Sequence, residues 1–112
     1  MKEVIISILL IHGVIHLIGF AKAFHVDGID QFEEDISKVF GLGWLLTCLL
    51  LISSAILLLI NNPTWIAMSL LGITFSQILI MRYWIDAKTG MIINLILLVA
   101  IVINFNTWLG NP

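Results

Sequence analysis

Charged side chains are scarce in this sequence. They make up 11% of its 112 residues, less than half of the ~25% that is typical of globular domains. So little charge cannot cover a water-soluble surface, which argues against a soluble enzyme and a disordered regulator. Only five Lys and Arg residues are present and the net charge is −2, so no basic patch is available for nucleic acid. The single cysteine, Cys48, excludes an internal disulfide and a multi-cysteine metal site.

Apolar residues are abundant instead, at 61% of the chain, and the mean hydropathy is +1.14. They form four uncharged runs over about residues 4–21, 39–60, 64–81 and 89–109. A helix of 18 residues is ~27 Å long, enough to cross a thin hydrocarbon core, and the turns between runs are short. We therefore predict an all-α fold. The expected architecture is an integral membrane up-down four-helix bundle, a single domain over residues 1–112.

Basic residues in the loops predict the orientation of this bundle. The loop after the first run holds Lys22 and Lys38, and the loop after the third holds Arg82 and Lys88. The opposite side has only Lys2. Lys and Arg accumulate in cytoplasmic loops, so both charged loops should be cytoplasmic and both termini outside. We expect a multi-pass protein of a bacterial inner membrane.

The longest loop carries a helical pattern of its own. Asp30 followed by Glu33 has the form of a capping box, with Asp in place of Ser or Thr. Apolar residues then recur at helical spacing up to Phe40. We predict a short amphipathic helix over about residues 31–38, which lies at the membrane surface or extends the second span. Such a face contacts lipid or docks on a partner.

Polar side chains inside the runs lie at similar distances from the charged loops. Antiparallel neighbours bring them into one layer, on the order of 8–12 Å below those loops. The residues that we predict as ligand-binding candidates in this layer are His12, His16, Trp44, Thr47, Gln77 and Asn94. The charged residues that would form a cytoplasmic mouth to it are Lys22, Arg82, Asp86 and Lys88.

Two interpretations of this layer remain open. The side chains could hydrogen-bond across helices and fix their packing. They could instead line a pocket for a small-molecule or lipid ligand, a proton or an ion, because ionisable residues inside a membrane are functional candidates by default. Burial strips an imidazolium ion of its hydration and the runs contain no Asp or Glu, so we expect a neutral ring at His12.

The two histidines also have the i, i+4 spacing of a metal pair. His12 and His16 share one helix face, so they could bind one metal ion together. They cannot hold a haem from opposite sides, and a homo-oligomer would have to supply the second axial ligand. No third strong ligand is evident except Cys48. The sequence therefore leaves any cofactor unspecified.

Several segments resemble a known group of proteins. Leu10–Phe24 is similar to the first helix of uncharacterised bacterial four-helix membrane proteins, and Ser76–Gln77, Trp84–Gly90 and Asn94 resemble their later helices. This resemblance covers most of the chain and implies four spans, without an established activity. A looser likeness links the Gly19–Lys22 segment and the helix number to DoxX-like proteins, some of which are associated with quinone-linked sulfur chemistry.

Three functional hypotheses follow from these patterns. We favour a small bundle that binds a ligand at the polar layer. The alternatives are an accessory or structural membrane subunit without its own chemistry, and a redox, metal- or haem-binding subunit. An enzyme is the less favoured class. Small multidrug transporters share this size and helix number but depend on a Glu in the first helix, which this chain lacks.

Overall fold

The structure is a computed structural model that describes residues 1–25 and 35–110, with side chains up to Phe105. In this part of the chain every regular element is a helix, which confirms the all-α prediction. The helices are α1 Lys2–Ala23, α2 Lys38–Leu59, α3 Trp65–Arg82, α4 Trp84–Ala87 and α5 Gly90–Gly110. The four long helices coincide with the four apolar runs to within two residues at each end.

Two asparagines reverse the chain between α2 and α3. The backbone N–H groups of Asn61 and Asn62 donate to the carbonyls of Leu58 and Leu57, at 3.0 and 2.9 Å, and so close the end of α2. Asn61 has a φ of 60°, a left-handed conformation that Asn tolerates better than most residues. The side-chain oxygen of Asn62 then accepts from the N–H of Thr64 at 2.9 Å. This tight turn makes α3 antiparallel to α2.

The start of α2 is set by a serine cap. Ser37 is extended, and its hydroxyl accepts the backbone N–H of Phe40 at 3.3 Å. Residues 35–37 precede the helix and are not helical. The predicted amphipathic helix over 31–38, with its Asp30–Glu33 cap, otherwise falls on residues outside the described part of the chain.

The helices pack in chain order: α1 lies against α2, α2 against α3, and α5 against both α3 and α1. Glycines mark the close approaches. A Cβ at Gly19 would overlap the indole ring of Trp44, and one at Gly72 would lie 2.8 Å from Leu51 Cδ2. Gly90 approaches α3 in the same way. At these three positions the missing side chain lets neighbouring helices approach closely.

The outward helix faces are as apolar as the inward ones. Helices α1, α2 and α3 are long and apolar enough to cross a membrane, and α5 is apolar over Gly90–Phe105. No more than 39% of the most apolar window of any of these first three helices is buried. Side chains such as Val14, Leu49, Ile56 and Val102 are more than half exposed.

Buried side chains form two clusters at different heights. The apolar cluster comprises mainly aliphatic residues: Ile5, Leu9, Leu51, Ala55, Leu58, Trp65, Ile66, Ile73, Leu97 and Ile101. The aromatic cluster, nearer the two charged loops, comprises Ala23, Ile36, Trp44, Leu79 and Tyr83. Along α1 and α5 the buried polar residues His12, His16 and Asn94 lie between the apolar cluster and the charged loops.

Candidate functional site

Five polar side chains from α1, α3 and α5 form one hydrogen-bonded network, the polar network: His12, His16, Ser76, Gln77 and Asn94. His12 Nε2 lies 2.8 Å from Asn94 Oδ1, and His16 Nε2 lies 2.9 Å from Ser76 Oγ. Asn94 Nδ2 donates to Ser76 Oγ at 3.1 Å and to Gln77 Oε1 at 3.2 Å. All members except Gln77 are at most 3% exposed.

Helical spacing explains why these residues meet. His12 and His16 are one turn apart, so both leave the same face of α1. On the neighbouring helices, Ser76 lies one turn after Gly72 and Asn94 one turn after Gly90, which places both on faces where helices approach closely. Because neighbouring helices run in opposite directions, the helical turns that carry these residues lie at the same height in the protein.

A backbone carbonyl fixes the protons of the network. His16 Nδ1 lies 2.7 Å from the carbonyl oxygen of His12, which only accepts, so Nδ1 carries the hydrogen. In a neutral ring, Nε2 of His16 is then bare and accepts the hydroxyl hydrogen of Ser76. That hydroxyl has no second hydrogen, so the Asn94 amide must donate to it. The carbonyl oxygen of Asn94 therefore faces His12 and accepts from Nε2–H.

This series of hydrogen bonds ends at Nδ1 of His12. Because the ring hydrogen is on Nε2, Nδ1 is an acceptor. It is buried and has no hydrogen-bond partner among the described residues. His12 itself is 2% exposed. Buried polar atoms are paired in the great majority of cases, so an unpaired one calls for an explanation.

A cavity of about 160 Å³ lies beside the ring of His12. Its polar wall includes His12, His16, Asp86 and Thr89, and its apolar wall includes Ile15, Ile80 and Ile93. Gly90 also lines it, and a Cβ there would lie 3.6 Å from Cε1 of His12, the ring carbon between Nδ1 and Nε2. An apolar cavity of ~150 Å³ is large enough for benzene, so this one has room for a molecule of about one ring.

Aromatic rings form one side of the cavity. The imidazoles of His12 and His16 meet edge to face with centroids 4.6 Å apart, and the indole of Trp44 lies 5.1 Å from the ring of His16. Trp44 is 3% exposed and packs where Gly19 leaves space for its ring. The indole is therefore a rigid wall.

The predicted candidate Thr47 is buried but does not join the polar network. Its hydroxyl donates to the carbonyl of Gly43 in its own helix, at 2.8 Å. A threonine bonded in this way has no hydrogen left for a neighbouring helix. The remaining five predicted residues do come together: Gln77 and Asn94 in the network, His12 and His16 in both network and cavity wall, and Trp44 in the wall.

The four charged residues that were predicted to form the cytoplasmic mouth do not lie together. Asp86 lines the cavity. Arg82 instead places its guanidinium over the ring of Tyr83, 4.7 Å from the centroid. Lys88 is exposed and lines a shallow groove on the outside, and Lys22 is half-buried. Of the charged residues, Asp86 is thus the one that contacts the candidate site.

Ser76 was not among the predicted site residues, although it connects His16 and Asn94. Helical spacing puts Ser76 on the inward face of α3, with Gln77 beside it. The sequence signal that identifies Ser76 is the four-residue step from Gly72, where α3 approaches α2 closely.

A metal site receives little support from this geometry. Among the described residues no three His, Cys, Asp or Glu side chains are placed to hold a metal ion. Both nitrogens of His16 and one of His12 are already hydrogen-bonded. The pair cannot chelate an ion together while these bonds persist.

Known proteins provide no template for this site. No protein-family model, curated protein or solved structure matches the chain. The resemblance to four-helix bacterial membrane proteins therefore stays a prediction, and the function is argued from the geometry of the cavity.

Proposed function

We propose that this chain is an integral membrane protein in which α1, α2, α3 and α5 span the bilayer as an up-down bundle. The outward faces support this. They expose contiguous Val, Ile and Leu side chains, which water would drive to aggregate and which lipid covers. The 22 residues of α1 give ~33 Å, close to the ~30 Å thickness of a hydrocarbon core.

The proposed orientation places both charged loops in the cytoplasm of a bacterial cell. It can be tested with single cysteines at exposed turn positions in a Cys48→Ser background. A membrane-impermeant maleimide added to intact cells should label Thr64→Cys, and should label Lys88→Cys only after the membrane is opened. Labelling of Lys88→Cys alone in intact cells would reverse the orientation. Labelling of both from one side would contradict the spanning arrangement.

We further propose that the bundle binds a small, largely apolar molecule in the cavity beside His12. The observation that carries this is the buried Nδ1 acceptor without a partner among the described residues, in an imidazole ring that lines a cavity of about 160 Å³. A network that serves packing alone normally pairs every buried acceptor. An accessory subunit without chemistry is the competing function.

Fluorobenzene is a suitable first probe, because it tests the cavity without assuming a polar contact. With the protein in lipid nanodiscs, we expect saturable binding by ¹⁹F NMR and magnetisation transfer to the rings of His12 and Trp44. Gly90→Val should abolish this binding by filling the cavity. Gly43→Val is the matched control, since a Cβ at Gly43 makes only an ordinary contact, 3.6 Å from Leu79.

Absence of saturable binding in the wild-type protein would overturn the binding proposal and leave the accessory role. Equal loss in Gly90→Val and Gly43→Val would show that the effect comes from general damage to the bundle. In that case the magnetisation transfer in the wild-type protein decides whether fluorobenzene contacts the two rings.

A further inference from the structure

We infer that the natural occupant of this cavity carries an N–H or O–H group that donates a hydrogen bond to Nδ1 of His12. This inference rests on the proposed binding function. It adds the chemical class of the ligand, which follows from the direction of the hydrogen bonds in the polar network.

The direction of the hydrogen bonds in the polar network cannot be reversed without leaving buried acceptors unpaired. A ligand with only an acceptor needs a hydrogen on His12 Nδ1, and in a neutral ring this leaves Nε2 bare. The Asn94 amide would then have to turn so that its NH₂ faces His12. Its oxygen would face Ser76, whose one hydrogen is committed to His16. Two buried acceptors would lie against each other without a hydrogen between them.

The origin of this order lies in the backbone of α1. Nδ1 of His16 donates to the carbonyl oxygen of His12, and the two atoms are 2.7 Å apart. A carbonyl oxygen can only accept a hydrogen bond, so this direction is fixed. Each later bond inherits its direction from this one. A ligand that donates to Nδ1 of His12 completes the chain without moving any hydrogen.

The other walls restrict the rest of the ligand. Ile15, Ile80 and Ile93 require an apolar body, and the flat indole of Trp44 suits a ring. Asp86 is part of the same wall. A molecule of about one ring, with one N–H or O–H donor, fits these features.

Three small rings test the inference in nanodiscs. Pyrrole has an N–H donor and no acceptor atom, thiophene has a similar shape without the donor, and pyridine offers only an acceptor. His12→Gln is the matched variant, because its amide can still donate to Asn94 but places no acceptor at the Nδ1 position. Dissociation constants and the ¹⁵N shifts of labelled imidazoles are the measurements.

We expect saturating pyrrole to move the ¹⁵N resonance of His12 Nδ1 upfield and to leave both His16 nitrogens unchanged. The preference for pyrrole over thiophene, as a ratio of dissociation constants, should fall about tenfold from wild type to His12→Gln. Pyrrole and thiophene partition differently into lipid, but this difference is the same for both proteins. It therefore cancels when the ratio for wild type is divided by the ratio for His12→Gln.

Each other outcome is decisive. Saturable thiophene binding with the same preference in wild type and His12→Gln would overturn the donor rule and leave the binding function standing. Tighter binding of pyridine than of pyrrole would show that His12 presents a hydrogen, which also overturns it. If no ring binds, both proposals fail. Should His12→Gln not fold, an unmoved Nδ1 resonance in wild type at saturating pyrrole is enough to reject the inference.

Discussion

Two buried polar sites lie at different heights in this protein, and they differ in how completely they are hydrogen-bonded. Near the α2–α3 turn, the hydroxyl of Ser54 donates to the carbonyl of Trp65 at 2.9 Å and is bonded to the hydroxyl of Ser69. Nearer the charged loops, the polar network ends on a bare nitrogen of His12 beside a cavity. Both sites join neighbouring helices and both are buried, so the unpaired nitrogen of His12 is the feature that separates them.

The packing around the two sites differs as well. In the apolar cluster, the close approach at Gly72 is to the flexible end of Leu51. Next to the polar network, the close approach at Gly19 is to the fused rings of Trp44, which cannot bend out of the way. The cavity is therefore bounded by the more rigid of the two regions, as a preformed binding site requires.

The largest predicted effect tests this difference in rigidity. Gly19→Ala forces the indole of Trp44 to move and should lower the free energy of unfolding by about 2–3 kcal/mol. Gly72→Ala should change it by less than about 1 kcal/mol, because Leu51 can rotate and alanine favours the helix. Gly43→Ala, whose Cβ makes only an ordinary contact with Leu79, is the control. Unfolding by SDS in mixed micelles, followed by circular dichroism, gives all three values.

An equal loss of stability in Gly19→Ala and Gly72→Ala would contradict the distinction between a rigid and a yielding region. If Gly19→Ala is harmless, Trp44 is not fixed in place. The cavity would then be free to change shape.

The second comparison removes one serine from each polar site. Ser76→Ala leaves His16 Nε2 without its donor and Asn94 without one acceptor, so we expect a loss of about 2 kcal/mol. Ser54→Ala should lose about 0.5 kcal/mol, since Ser69 can donate to the carbonyl of Trp65 four residues before it. Thermal unfolding in a mild detergent measures both losses. The ¹⁵N spectrum of His16 should change only in Ser76→Ala.

Much of this architecture could be predicted from the sequence because the apolar runs are long and uninterrupted. In the proposed membrane arrangement a helix must stay apolar over its whole crossing, and the ends of the four runs predict the ends of α1, α2, α3 and α5 to within two residues. Polar side chains within such runs are expected to face other helices, and His12 and His16 are indeed buried.

The site could be predicted only in part, because its chemistry depends on small rotations of each helix. Ser76 and Gln77 differ by ~100° around α3, and both lie near the inward face, so spacing could not decide which one bonds to His16. Nor could it show that Thr47 bonds to its own helix. The short helix α4 was also missed, since four residues carry no periodicity. The bare nitrogen of His12 emerges only from the complete set of hydrogen bonds.

A smaller effect is expected at Gln77, the residue that the sequence favoured over Ser76. Gln77 is half-buried and accepts one bond, from Asn94 at 3.2 Å. Gln77→Met keeps its length and should cost about 0.6 kcal/mol, the average for a hydrogen bond between helices in a membrane. The same unfolding assay applies. A loss larger than that of Ser76→Ala would place the centre of the network at Gln77 instead.

The smallest effect is expected at Thr47, which tests where the polar network stops. Its hydroxyl donates to the carbonyl of Gly43 in the same helix, so this bond does not connect α2 to another helix. Thr74 makes the same kind of bond to the carbonyl of Leu70, at 2.7 Å, on the exposed face of α3, and so provides a matched control. Thr47→Val and Thr74→Val should each change the free energy of unfolding by less than about 0.5 kcal/mol. Pyrrole affinity should also stay unchanged in both. If Thr47→Val alone weakens pyrrole binding or the bundle, the hydroxyl of Thr47 turns toward the cavity in the working protein, and the acceptor on His12 is not its only polar anchor.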